Sequence, residues 1–390
     1  MATIAANLPA FLTGGLAVQM QADLDFGATA LGVAVGAFFA AGAVSSAAAG
    51  KIVERFGAAR SLRWAAAMSG IVQLAVAGLV RSFAALVVLL VIGGLANSWA
   101  QPASNVFLVR VVPPNRLGFA LGLQKSAIPA AALLGGLAVP ALALTVGWRW
   151  AFVAGGLLSF TATLQIPSDR PGADTVHAER RGTAKPDVPT LRLLVLAVGV
   201  GFGAAASGPL SAFLVLSSVD AGLSEASAGI MLVVGSIAGI GVRLLVGARA
   251  DRYPGRALAF IAGMFALAAV AFLLLATRST WLYLLAIPLA FATAYAWPGL
   301  FHLALVRSNP SAPGAATGLA MTGTFTGAVS GPVIFGAVAG GISYPAAWLT
   351  GALFLVLGAV IVGASSRNIH EVGPLSQVAE PQALGATGAT

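Results

Sequence analysis

Charged residues are scarce in this sequence and cysteine is absent. Only 8% of the 390 residues are charged, whereas a soluble globular domain carries roughly 25%. The absence of cysteine excludes disulfides, thiolate nucleophiles and cysteine-ligated metals. Hydrophobic residues make up 58% of the chain, and its mean hydropathy is +0.93. A soluble core of this size could not bury so much apolar surface, so part of the chain must face lipid.

Long apolar runs divide the chain and predict an all-α membrane protein with twelve transmembrane helices. Most runs are long enough for a helix of about 20 residues to cross the hydrocarbon layer. The first run lacks the basic flank of a removed signal peptide, so we expect a retained helix. The runs are 2–20, 29–49, 61–80, 83–109, 117–139, 150–166, 191–217, 227–246, 257–276, 281–306, 314–340 and 346–364.

Basic residues lie mainly in the loops on one side of these runs. That side, which also holds both termini, contains 16 of the 21 Lys and Arg residues. Only Arg81, Arg149 and Arg278 lie on the other side. Positive residues are retained in the cytoplasm, so we expect a cell-membrane protein with both termini cytoplasmic. Membrane topology thus explains the net charge of +9, and we expect the bilayer, not nucleic acid, as a partner.

A charged segment recurs at half the length of the chain. Residues 50–60 carry Gly, three residues, an acid, Arg, and then Gly and Arg, and residues 247–256 repeat this order at an offset of 197. We expect Gly50 and Gly247 to end their helices, because glycine readily adopts positive φ. The two copies supply Gly50, Glu54, Arg55, Gly57 and Arg60, and Gly247, Asp251, Arg252, Gly255 and Arg256.

The repeat extends beyond this segment and predicts two pseudo-symmetric six-helix bundles. Gly32 matches Gly229 at the same offset of 197 residues. We expect bundles at 1–166 and 191–366, a solvated cytoplasmic linker at 167–190 and a disordered cytoplasmic tail at 367–390. Parallel halves related by an axis along the membrane normal are a transporter architecture.

Together with Gly147-Trp148-Arg149-Trp150, the repeated segment resembles the major facilitator superfamily. The resemblance covers essentially the whole chain. It implies a helical-bundle carrier that alternates between inward- and outward-open forms around one substrate site between the halves. It also implies that the repeated segments form a gate; the alternative is that their charges only fix topology. The first copy departs from the family in having Glu54 where Asp is usual.

Two basic residues fall inside apolar runs, where a charge costs at least ~2.5–3.5 kcal/mol at the bilayer centre. Lys125 lies in the fifth run and Arg243 in the eighth. Such residues usually face a cavity and mark a pathway. Alternatively, Lys125 contacts backbone carbonyls or extends to the interface, and Arg243 reaches the surface or the repeated segment. Residues 243–247 also resemble the eighth helix of monocarboxylate carriers, where an Arg binds the carboxylate.

Acidic residues are absent from the interior of every run, because all twelve lie in loops, in the linker or in the tail. The buried charge is therefore only positive, which favours a small anionic substrate such as a carboxylate. Polar residues on the fourth run, spaced by four, share one helical stripe. They either line a cavity, where Gln124 would join them, or bond neighbouring helices. They are Asn97, Gln101 and Asn105.

The tenth run, which the repeat pairs with the fourth, contains Tyr295, Trp297 and His302. Both aromatic residues either line the substrate cavity or pack in the core. His302 can titrate near neutral pH and is a weak candidate for a proton site, since its helix has no acid.

The sequence contains no metal-ligand cluster, phosphate-binding loop or nucleophile–base set. We therefore expect a monomeric secondary transporter, with no cofactor and no enzymatic activity, that carries a small organic anion, coupled to protons or not. The alternative is an efflux carrier for neutral or amphipathic compounds, in which Lys125 is structural. A membrane sensor or enzyme would need a soluble domain or a catalytic set, and the sequence has neither.

Overall fold

The computed structural model describes residues 1–112, 120, 123–166, 185–249 and 255–369, and within these ranges the regular structure is entirely helical. Apolar side chains dominate each helix, and a helix satisfies its own backbone hydrogen bonds in lipid. A π-helix at Val139–Ala143 follows α6. The helices are α1 (Ala2–Gly15), α2 (Ala17–Leu24), α3 (Ala28–Phe56), α4 (Ala58–Leu79), α5 (Phe83–Val111), α6 (Ala127–Ala138), α7 (Trp148–Gln165), α8 (Thr190–Asp220), α9 (Glu225–Arg249), α10 (Ala257–Leu275), α11 (Thr280–Ala294), α12 (Trp297–Ser308), α13 (Pro313–Gly341) and α14 (Tyr344–Ser366).

Each predicted apolar run coincides with one helix or with two consecutive helices. Among the described residues, nine segments are long and apolar enough to cross a membrane, with α11 and α12 counted together. The described parts of the first, fifth and sixth runs, which contain α1 with α2, α6 and α7, do not reach that threshold. The multi-pass helical architecture is therefore confirmed, and the count of twelve spans stays a prediction.

Two predicted runs contain helix breaks that the apolar pattern did not reveal. The first run breaks at Leu16, which lies between α1 and α2. The tenth run breaks at Tyr295 and Ala296, between α11 and α12. Pro298, in the first turn of α12, has no N–H to donate to the preceding turn, so the hydrogen-bond ladder of one continuous helix cannot run across this point. The tenth span is therefore two helices, with a backbone carbonyl available at the break.

The prediction that Gly50 and Gly247 end their helices is wrong. α3 continues through Gly50 to Phe56, and α9 continues through Gly247 to Arg249. A glycine inside a helix costs only about 1 kcal/mol, which the surrounding residues can offset. α3 ends instead at Gly57, whose φ of 84° and ψ of 154° lie in a region that essentially only glycine adopts. Most of the first copy of the repeated segment is therefore helix rather than loop.

Helices from the two repeats pack against each other in pairs. α3 contacts α13, α6 contacts α9, and α1 contacts α8. The sequence repeat relates α3 to α9 through Gly32 and Gly229, and it relates the fifth apolar run to the eleventh. The α3–α13 and α9–α6 pairs are therefore equivalent contacts, as expected for pseudo-symmetric halves.

The repeated glycines lie at the centre of these two contacts. A Cβ added to Gly229 would lie 2.7 Å from the carbonyl oxygen of Gly136, closer than any real Cβ contact. A Cβ added to Gly32 would clash with the carbonyl oxygen of Pro332. Small residues let membrane helices approach to backbone contact. The close approach explains why glycine occurs at both repeat-related positions.

Two ion pairs lie at helix ends on the side of the molecule opposite the chain termini. Arg149 Nη1 is 2.6 Å from Asp23 Oδ2, and Arg278 Nη2 is 3.1 Å from Asp220 Oδ2. Asp23 and Asp220 are themselves 197 residues apart, so they belong to the repeat. The Arg149 guanidinium also donates to the Val80 carbonyl, at 3.1 Å, and joins the ends of α2, α4 and α7.

The contact at Gly229 predicts different effects for two Gly→Ala variants of α9. Gly241 has no atom within 4 Å of an added Cβ, and both variants gain the same helix propensity, about 0.8–1.0 kcal/mol. We expect Gly229→Ala to push α6 and α9 apart and to lower the Tm. Gly241→Ala should leave the Tm unchanged or raise it. Equal Tm values for the two variants would show that this contact does not hold the two repeats together.

The Asp23–Arg149 pair predicts a pH-dependent contribution to stability. The hydrogen bond from Arg149 lowers the pKa of Asp23, so the stabilisation is present above the unfolded-state pKa of about 3.9 and is lost as the pH falls through the folded-state value. Asp23→Asn should lower the Tm at pH 7, and the difference from wild type should shrink at about pH 3. Asp25→Asn, in the same turn and without a side-chain partner in the described structure, is the control. A pH-independent difference would contradict the assignment.

Candidate functional site

The two basic residues predicted inside the membrane meet between the two repeats. Arg243, on α9, donates a hydrogen bond from Nη1 to the backbone carbonyl of Lys125, in the segment before α6. Arg243 is buried, with 6% of its surface exposed, and Lys125 is partly buried. Within the described residues, neither side chain has a carboxylate within ion-pairing distance. The helix contact at Gly136 and Gly229 thus brings a lysine and an arginine together without an acid.

Arg243 is held largely by backbone carbonyls. Its second terminal nitrogen, Nη2, donates to the carbonyl of Tyr295, which caps the C-terminus of α11 at the break in the tenth span. Helix C-termini carry partial negative charge, so this carbonyl is a favourable partner for a guanidinium. The Nε of Arg243 is buried and has no partner in the part of the chain that the structure describes. Arg243 therefore links α9, α11 and the Lys125 segment.

Tyr295 is fixed by α8. Its hydroxyl lies 2.5 Å from Ser211 Oγ and donates to the Ser207 carbonyl at 3.0 Å, while its ring packs 5.3 Å from Phe291. Trp297 packs against two phenylalanine rings of α10 and α12, and its Nε1 is buried without a partner. Both aromatic side chains are buried and pack against phenylalanine rings, and whether they also line the substrate cavity stays a prediction. Sequence reasoning missed Ser207 and Ser211, whose spacing of four in an apolar helix was the available signal.

The ammonium group of Lys125 contacts the polar stripe of α5. Its Nζ donates to Gln101 Oε1 at 3.3 Å, and Gln124 Nε2 donates to the same oxygen at 3.4 Å. Both distances are long for hydrogen bonds, and an ammonium has three donors. Asn97 and Asn105 lie one turn to either side of Gln101, and the buried side-chain oxygen of each has no partner in the described ranges. The site therefore combines a positive charge with several unmet hydrogen-bonding groups.

His302 lies on α12, one turn beyond Pro298, whose carbonyl is 3.3 Å from its Nδ1. It is partly buried. No group of three or more His, Asp or Glu residues in the described ranges is placed to hold a metal ion. A groove of about 370 Å³ between α8, α13 and α14 has an apolar lining that contains neither Lys125 nor Arg243. Such an apolar lining does not suit a charged substrate.

The residues predicted to form a gate occupy the helix ends on the side of the termini. The Arg55 guanidinium lies 5.4 Å from the centroid of the Phe56 ring. Gly255 has a φ of 81°, and Arg256 is the N-cap of α10. Asp251 and Arg252, with most of the linker and tail, lie outside the described residues. The pairing within the second copy therefore stays a prediction.

Comparisons with known proteins place this architecture in one family. The sequence model of the Major Facilitator Superfamily matches residues 1–322 and 196–383. Two solved structures share the fold at low sequence identity. A bacterial homolog of the human lysosomal transporter Spinster, in an inward-facing and occupied conformation, has TM-score 0.71 and 16% identity, with 94% of this chain and 95% of that chain covered. A D-xylose-proton symporter has TM-score 0.72 and 17% identity, with 93% and 94% covered.

One curated relative matches over a shorter region. The tetracenomycin C resistance and export protein of Streptomyces glaucescens is 33% identical over 130 residues, which are 33% of this chain and 24% of that protein. The matched region thus spans about a quarter of that relative's length. The match covers only part of the fold. It therefore does not show that this chain transports the same compound.

The carbonyl contacts of Arg243 predict a large loss of stability when the guanidinium is removed. Arg243→Gln would leave two buried carbonyls without donors, at a cost of about 1–3 kcal/mol for each. We expect a clearly lower Tm in detergent. Arg249→Gln, at the exposed end of the same helix, should change the Tm little because Arg249 is in solvent. Equal shifts for the two variants would show that Arg243 does not tie these helices together.

Proposed function

The chain belongs to the Major Facilitator Superfamily and is a multi-pass membrane transporter, and from that premise we propose that it carries a small organic anion of the carboxylate type. In this proposal the bundles at 1–166 and 191–366 rock about a site between them and expose it alternately to each side of the cell membrane. The protein works as a monomer with both termini in the cytoplasm. Transport is secondary and can be coupled to protons.

The observation that carries the proposal is Lys125, a partly buried ammonium with no carboxylate partner in the described structure. A charge within the membrane interior is costly unless it is paired. Gln101 supplies one long hydrogen bond, which leaves most of the positive charge unmatched. An anionic substrate would neutralise it through a charge-assisted hydrogen bond. Lys125 is therefore the group proposed to bind the substrate directly.

The other predicted residues take supporting roles in the proposal. Arg243 adds positive charge beside Lys125 and fixes the Lys125 backbone, since its terminal nitrogens donate to carbonyls. The carboxamides of Asn97, Asn105 and Gln124 orient the substrate. His302, on α12, is the proposed proton site if transport is proton-coupled. Tyr295 and Trp297 form the wall behind the site.

The repeated segments are proposed to gate the cytoplasmic side. Their charges lie at helix ends, where an acid and an arginine can form contacts in one state and release them in the other. Gly57 and Gly255 both have positive φ, which lets the chain turn sharply there. The alternative, that these charges only fix topology, predicts that their removal changes insertion rather than transport rate.

A second candidate function is export of neutral or amphipathic compounds. The specific observation in its favour is the 33% identity over 130 residues to a tetracenomycin C resistance and export protein. Under this alternative, Lys125 has a structural role, in which its ammonium contacts Gln101, and it does not bind a substrate anion. The two functions differ in whether carboxylates compete for binding and transport.

The proposal predicts that the charge of Lys125 is needed for transport. Lys125→Gln should abolish anion uptake in proteoliposomes, since a neutral amide cannot form an ion pair with a carboxylate. Lys125→Arg keeps the positive charge and should retain part of the uptake. Arg367→Gln, which removes an exposed positive charge on the side of the termini, is the matched control and should transport normally. Unchanged uptake by the folded Lys125→Gln variant would remove Lys125 from the site.

A thermal-shift screen of the purified protein separates the two candidate functions. A ligand that binds the folded form raises its Tm by mass action, by about 2.7 kcal/mol of stability at 100 times its Kd. Small carboxylates should raise the Tm of the wild-type protein and leave that of Lys125→Gln unchanged. Shifts with hydrophobic compounds alone, and none with any anion, would favour the export function.

A further inference from the structure

The oxygen of the Gln124 side chain is a buried hydrogen-bond acceptor beside Lys125. Gln124 has 7% of its surface exposed, and its Oε1 has no donor among the residues that the structure describes. Buried polar groups in proteins nearly always have hydrogen-bond partners. An acceptor left unmet next to a candidate substrate-binding group is therefore a position where a ligand can supply the donor.

The neighbouring contacts fix which way the Gln124 amide points. An ammonium can only donate, so the Gln101 atom that faces Lys125 must be its oxygen. Gln124 approaches that same Gln101 oxygen, and therefore must present its NH2 group to it. The oxygen of Gln124 is then the atom left over. Lys125 thus determines the orientation of both amides, and the unmet acceptor does not depend on an arbitrary choice of amide flip.

The site consequently contains two groups that need different hydrogen-bond partners: one needs an acceptor and the other needs a donor. The ammonium of Lys125 needs an acceptor or an anion, and the adjacent Gln124 oxygen needs a donor. A plain carboxylate satisfies only the first requirement. An α-amino acid would supply a donor, but its ammonium would bring a like charge towards Lys125 and the guanidinium of Arg243. A hydroxyl group next to the carboxylate satisfies both requirements without added charge.

We propose that the substrate is a hydroxylated organic acid, whose carboxylate pairs with Lys125 and whose neighbouring hydroxyl donates to Gln124 Oε1. This inference rests on the proposed function, because it assumes that Lys125 binds an anion. The unpartnered oxygens of Asn97 and Asn105, one turn to either side of Gln101 on α5, provide further acceptors for a substrate that carries more than one hydroxyl. Specificity for hydroxyl groups thus comes from carboxamides, and charge selectivity comes from Lys125.

Matched pairs of acids test the proposal with the full-length protein. Dissociation constants are measured by calorimetry in detergent for acetate and glycolate, for propionate and lactate, and for alanine as the amine analogue. One neutral hydrogen bond predicts about fivefold to tenfold tighter binding of each hydroxy acid than of its plain partner. Alanine should bind more weakly than lactate.

Two variants separate the contribution of Gln124 from a general effect of replacing a glutamine. Gln124→Met removes the acceptor and keeps a long unbranched side chain, so hydroxy and plain acids should bind with about equal affinity. Gln165→Met, at the exposed end of α7 and outside the site, is the control and should keep the preference for hydroxy acids. Thermal unfolding of each variant establishes that it is folded before binding is measured.

The outcomes distinguish failure of this inference from failure of the proposed function. Equal binding of hydroxy and plain acids by the wild-type protein would overturn the hydroxyl preference and leave the anion transporter proposal intact. An unchanged preference in Gln124→Met, or tighter binding of alanine than of lactate, would overturn the assigned role of Gln124. If none of the acids binds, both the inference and the proposed anion function fail.

Discussion

Backbone contact between helices of different repeats is the constraint on which the rest of this structure depends. α6 and α9 approach closely at Gly136 and Gly229, where an added Cβ would collide with a carbonyl oxygen. Further along the same helix pair, the approach places Arg243 against the Lys125 carbonyl. In lipid, helices gain little from burying apolar surface, so close packing of small residues has to hold them together. The polar site therefore exists because glycines allow the surrounding helices to meet.

The electrostatics of the site follow from this packing. Carbonyls of Lys125 and Tyr295 take the place of a carboxylate for Arg243, and the second of these is available because the tenth span breaks between α11 and α12. Partial charges at a helix end can accommodate a guanidinium without introducing a full negative charge. Within the described part of the chain, Lys125 has no such arrangement, and its ammonium contacts a single amide oxygen. In the proposed function, this difference makes Lys125 the group that a substrate anion neutralises.

Much of the fold could be predicted from the sequence, because lipid imposes length and polarity requirements that local composition reveals directly. The apolar runs correspond to helices, and Gly32 and Gly229 lie at equivalent contacts between the repeats. The helix ends were harder to predict. Gly50 and Gly247 are helical, since the cost of an interior glycine is small, and the end of α3 depends on the backbone conformation of Gly57. The ion pairs of Asp23 and Asp220 were also missed, although their spacing equals the repeat.

By itself, the sequence determined the family, the helical membrane architecture, the internal repeat and the presence of positive charges without acids inside the apolar runs. These properties depend on composition and spacing along one chain. Only the tertiary structure decided that Lys125 and Arg243 meet, that Arg243 is held by carbonyls, and that the Gln124 oxygen lacks a donor among the described residues. Those residues are brought together from α5, the segment before α6, α9 and the end of α11. A linear pattern carries no information about which way side chains of separate helices face each other.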